Sequence, residues 1–117
     1  MSTFLEKFTA YGADVDGVMD RFMEDEDLLM MCLDQFVADD EVTQLEEYMG
    51  KEDYKQAFEV AHALKGVTGN LGLTPLFNAT CTLVESLRHE QYANVNEELR
   101  TVVQKREEFV KAYEDMK

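Results

Sequence analysis

The chain has 117 residues, nearly half of them hydrophobic, a length that suits one domain with one sizeable core. Lysine and arginine total 11 against 25 acidic residues, a net charge of −14 that disfavours a phosphate backbone or an anionic membrane surface, so neither nucleic acid nor membrane is expected as a partner. No N-terminal basic-then-apolar signal is present, and the longest apolar stretch, Leu28 to Leu33, is far below the roughly 20 residues that span a bilayer, so a cytoplasmic protein is expected.

Thr3 and Glu6 have capping-box spacing ahead of a short helix that should end near Gly12, and Asp14 to Phe22 predicts a second short helical segment. A long helix is expected next: Met31, Gln35, Ala38, Val42, Leu45 and Met49 recur at steps of four and three, flanked by Leu28, Cys32 and Phe36, until Gly50 breaks the pattern. Tyr54, Ala57, Phe58, Ala61, Leu64, Thr68 and Leu71 trace the core stripe of the following helix, with Gly72 as its stop. Thr74 is the expected cap of the next, with Pro75 at the first helical position and Leu76, Thr80, Leu83 and Leu87 as the inward row, joined by Phe77, Cys81 and Val84. After Asn94, the row Val95, Leu99, Val102, Arg106, Phe109 and Tyr113 marks the last helix, its face widened by Val103 and Val110.

No strand pattern or internal repeat competes, and no stretch rich in proline, glycine and serine marks a domain boundary. The expected fold is all-α: an antiparallel up-down four-helix bundle, with the N-terminal segment as a short helical cap on one end and residues 1–117 forming one domain. Cys32 and Cys81 lie among apolar neighbours without Cys-x-x-Cys spacing, which suits buried thiols and no metal site. The acidic runs Glu24-Asp25-Glu26-Asp27 and Asp39-Asp40-Glu41 lack the alternate ligands and central glycine of a calcium loop. The seven methionines suit packing better than a recognition groove. His89, in Arg88-His89-Glu90, is explained by solvation and the dipole at a helix end.

The informative segment is Ala61-His62-Ala63-Leu64-Lys65-Gly66-Val67-Thr68-Gly69-Asn70-Leu71-Gly72-Leu73. At about 100° per residue the core stripe centres on Ala57, Ala61 and Thr68; His62 falls roughly 120° away, with Lys55, Glu59, Gly66 and Gly69 on its side, and should be exposed. Lys65 and Gly66, three and four residues on, are its same-face neighbours. An ammonium there disfavours a charged ring, leaves it nucleophilic, and attracts a phosphoryl group in an otherwise acidic chain. Glycine inside a helix costs on the order of 1 kcal/mol relative to alanine, so Gly66 and Gly69 ask for a reason. A side chain at 66 would lean over the turn that holds His62, so Gly66 leaves the ring open. For Gly69 close helix packing explains the glycine as well as access does, and for Gly72 a helix cap suffices.

The set His62-x-Leu64-Lys65-Gly66 with Leu71-Gly72 resembles the signature of histidine-containing phosphotransfer (HPt) domains, and the likeness extends to Tyr11-Gly12, Arg21-Phe22 and Phe36 and to nearly the whole chain. The resemblance implies a four-helix bundle in which His62 accepts a phosphoryl group from a receiver-domain aspartate, or from the receiver module of a hybrid histidine kinase, and passes it to another receiver. It further implies that Lys65 steadies the phosphoryl oxygens and that Gly66, with Gly69, admits the response-regulator receiver domain. One departure stands out: several members carry a glutamine on the following helix that hydrogen-bonds the imidazole, and here Val84 occupies that register. Thr68 replaces the small serine or alanine common two positions after the Lys-Gly pair.

Neither a Walker sequence nor a kinase-type glycine loop is present, so the chain is expected to be a phosphocarrier without kinase activity of its own, a monomer with no cofactor. The competing reading is an interaction-only bundle that binds a receiver or another helical partner and is never phosphorylated; an exposed nucleophile beside a cation argues against it. A third is a fragment of a larger hybrid kinase, against which the initial methionine and the lack of a linker favour a free-standing protein.

Overall fold

The computed structural model describes residues 2–117, and among these all regular structure is helical: α1 (Thr3–Tyr11), α2 (Val15–Arg21), α3 (Glu26–Ala38), α4 (Glu41–Gly50), α5 (Tyr54–Asn70), α6 (Thr74–Arg88) and α7 (Val95–Met116). The molecule is an all-α bundle in which α4, α5, α6 and α7 pack side by side in chain order and α4 also meets α7. Short connections leave consecutive helices little choice but to lie antiparallel. With 22 residues, about 33 Å at 1.5 Å per residue, α7 is the longest helix and overhangs the α5–α6 turn.

The overhang is covered by α1 and α3. Phe4 and Phe8 of α1 are buried, Tyr11 meets Phe109 edge-on at 5.3 Å, and Phe36 of α3 meets the same ring at 5.9 Å. Tyr113 donates its hydroxyl to Met30 O at 3.0 Å and to Asp34 Oδ1 at 2.7 Å. The N-terminal segment thus closes the end of the bundle that carries the α5–α6 turn, as expected. Asp14 N donates to Gly72 O at 2.9 Å, and Arg21 donates to Asn70 O and Gly69 O, both at 3.0 Å. That guanidinium satisfies carbonyls at the end of α5, where a cation also complements the helix dipole.

The long third helix is corrected: it is two helices, α3 and α4, with extended backbone at Asp39 between them. Three consecutive acids there are disfavoured at a helix C-terminus and favoured at an N-terminus, so the chain gains by ending one helix and beginning another. Arg106 of α7 secures the break, donating to Val37 O at 3.1 Å and Asp39 O at 3.4 Å. The break also resets the helical phase. Val42, Leu45 and Met49 are buried as expected, but the same row carried back across the break misses the core: Met31 is 67% exposed, and the buried residues of α3 are Leu29, Leu33 and Phe36.

Smaller boundary corrections follow from backbone geometry. The cap of α1 is Ser2 rather than Thr3: its hydroxyl accepts from Leu5 N at 3.1 Å while donating to Glu26 Oε1 at 2.6 Å, which pulls the helix start one residue back. Thr74 does not cap α6; it is the first helical residue, with Pro75 second. Gly50 is still helical, and the left-handed residue after α4 is Glu52. The ends expected at Gly12 and Gly72 hold, with φ of +109° and +71°. At Gly72 a Cβ would also lie 3.1 Å from Asp14 O, so the tight turn and the docking of α2 both require glycine.

Candidate functional site

Ala57, Ala61, Leu64 and Thr68 are fully buried along the inner face of α5, which turns His62 outward to solvent. Thr68 satisfies its buried hydroxyl within the helix, donating to Leu64 O at 2.9 Å and Lys65 O at 3.2 Å. It thereby takes an inward position without leaving an orphan donor. Lys65, half-buried, lies on the turn after His62 and has no ion-pair partner among the described residues, so its ammonium is uncommitted.

The two glycines of this face differ. A Cβ added at Gly66 meets nothing within 4 Å, so no neighbouring helix needs the gap. At Gly69 a Cβ would sit 2.9 Å from Cε1 of Phe77, so this glycine lets the ring on α6 pack against α5. Gly66 keeps the surface beside His62 low and open, and close packing accounts for Gly69.

Beside the imidazole stands an aromatic ring, and a cation lies over that ring. The Phe58 ring, one turn earlier, has its centroid 5.7 Å from that of His62, tilted by 32°, and the Arg88 guanidinium of α6 stands 5.2 Å from the centre of the same Phe58 ring. Arg88 Nε pairs with Glu85 at 3.4 Å, and Glu85 also reaches His89 at 3.3 Å. Among the described residues no protein group hydrogen-bonds the His62 ring, and Val84 is an aliphatic side chain sealed in the core. Below Phe58 an open cleft of about 430 Å³ runs between α5 and the α6–α7 connection, walled in part by Tyr54 stacked on Tyr92 at 4.0 Å.

The fold brings His62, Lys65 and Gly66 to one accessible turn and leaves His89 at the far end of α6 as an exposed partner of Glu85. The family model of the Hpt domain matches residues 27–115. The chain belongs to the Hpt domain family. Comparison with curated proteins and with solved structures yields no match. Hpt domains are helical phosphocarriers that transfer phosphoryl groups through histidine in two-component phosphorelays, and this Hpt domain has the helical bundle such a carrier needs. Two features of the site escaped sequence reasoning. Arg88 beside Phe58 is a meeting of two helices, and Arg21 at the end of α5 spans 48 residues of chain.

Proposed function

We propose that this chain, acting over residues 1–117 as a single cytoplasmic and monomeric phosphotransfer unit, relays phosphoryl groups through His62 between receiver-domain aspartates, one of them in a hybrid histidine kinase. A ring nitrogen of His62 supplies the electron pair that forms the P–N bond, the P–O bond to the donor aspartate breaks, and that carboxylate leaves; transfer to the next receiver reverses the sequence. Such a transition state asks the carrier mainly for in-line positioning and charge neutralisation. Lys65 supplies a cation one turn away, and Gly66 the clearance for the receiver's active-site loop. The observation that carries the reading is the conjunction on one turn of an exposed histidine, a lysine with no ion-pair partner among the described residues and a glycine with nothing to pack against.

Incubation with phosphorylated receiver domains should place acid-labile, base-stable phosphate on the chain. His62→Gln should abolish it with the melting curve unchanged, and His89→Gln should alter neither the phosphate nor the melting curve. Lys65→Ala should slow transfer roughly tenfold, about 1.4 kcal/mol of barrier, without preventing acceptance. Phosphate persisting on the His62→Gln protein, or a wild-type chain that binds receivers and stays unphosphorylated, would overturn the assignment, the latter in favour of a scaffold.

A further inference from the structure

A phosphoryl acceptor must present one ring nitrogen in a fixed direction, and among the described residues no group hydrogen-bonds the His62 ring to fix it. The antiparallel register of α5 and α6, with Gly69 beside Phe77 and Phe58 beside Arg88, sets Val84 opposite His62. An aliphatic side chain with no exposed surface cannot direct a ring by hydrogen bonding. Phe58 is placed to do so by other means. Helical side chains lean toward the N-terminus, so the imidazole at 62 lies over the residue four positions before it. The 5.7 Å separation and 32° tilt are those of an aromatic pair in contact. Phe58 is itself held, because the Arg88 guanidinium covers its ring from α6 at 5.2 Å and Glu85 tethers that guanidinium.

We propose that Phe58 is a positioning residue for the phosphoryl acceptor: its ring, held by Arg88, restricts the rotation of the His62 imidazole and so presents the attacking nitrogen along the line of transfer. The inference rests on His62 being the acceptor. Small losses of alignment in a near-attack geometry cost up to about a hundredfold in rate, so an orienting contact of this kind is worth a readable share of the transfer rate.

The test compares wild type with Phe58→Leu, Phe58→Tyr and a Tyr92→Ala control in two measurements: transfer from a phosphorylated receiver domain, and the NMR resonances of the His62 ring protons in the free protein. Phe58→Leu should shift those resonances, through loss of the neighbouring ring current and wider rotation, and slow transfer roughly tenfold. Phe58→Tyr should restore both, and Tyr92→Ala, altering the same cleft without touching His62, should change neither. Unshifted resonances or an undiminished rate in Phe58→Leu would overturn the proposal. So would an equal loss of rate in Tyr92→Ala, which would make the cleft a docking surface. If wild type accepts phosphate from no receiver, the phosphotransfer reading fails, while the resonances still report whether Phe58 stands against the ring.

Discussion

Gly66 and Gly69 look alike in the sequence and act through different physics. With empty space around it, Gly66 carries the helix-propensity cost of glycine with no packing gain, so Gly66→Ala should stabilise the protein by up to about 1 kcal/mol, a melting temperature higher by a few degrees. Gly66→Gln should keep much of that gain and slow phosphotransfer, because the longer side chain leans over His62. Gly69→Ala should lower the melting temperature: overpacking against the Phe77 ring costs roughly 1–3 kcal/mol, more than the propensity gained. Thermal melts of the two alanine variants check the pair; shifts of the same sign would show that the packing difference is unimportant. The sequence placed Gly66 on the open side of α5, but Gly69 faces α6: the ring that fills its gap comes from that helix, and no spacing within α5 reports it.

At the scale of elements, the legible parts were those in which one helix face governs one stretch of chain. The rows of α4, α5, α6 and α7 were readable because each helix buries a continuous stripe against its neighbours. The break between α3 and α4 was not, since Asp39-Asp40-Glu41 permits a helix to continue as exposed charge as well as to stop. Arg106 tips the balance from 67 residues away, using hydrogen bonds that exist only once α7 has docked. Arg106→Met should therefore destabilise the protein by about 1.5–3 kcal/mol, the range for hydrogen bonds made by a charged group, and urea unfolding would measure it. A loss below about 0.5 kcal/mol would mean that the break stands without the guanidinium.

For the whole molecule, the acidic balance and the joining of its two ends matter together. Asp34 of α3 accepts from Tyr113 and pairs with Lys117 at 3.0 Å, and both interactions hold its carboxyl below the ordinary aspartate value, with the tyrosine hydrogen bond the larger cause. A carboxylate with a depressed folded-state pKa contributes stability that is present above its unfolded value and lost as pH falls through the folded one. The wild-type advantage over Asp34→Asn should accordingly be constant near neutral pH and shrink on acidification below roughly pH 4. Melts of both proteins across that range test it; an advantage that grew on acidification would reverse the sign. The opposite case is Glu41, whose carboxyl is raised by burial and by Asp39 and Asp40, so its charge weighs against the folded state at neutral pH.

The sequence by itself determined the helical class, four of the buried stripes, the outward direction of His62 and the nearness of Lys65 and Gly66, because each is a relation between residues within about two turns, where helix geometry alone sets the angles. Only the tertiary structure decided that α3 and α4 part at Asp39, that Leu29 and Leu33 join Phe36 in the core in place of Met31, that Gly69 belongs to Phe77, and that Phe58 stands beside His62 with Arg88 over its ring. Each of these depends on a second helix arriving from elsewhere in the chain, and the angle and height at which it arrives are set by packing, which a periodicity within one helix does not encode.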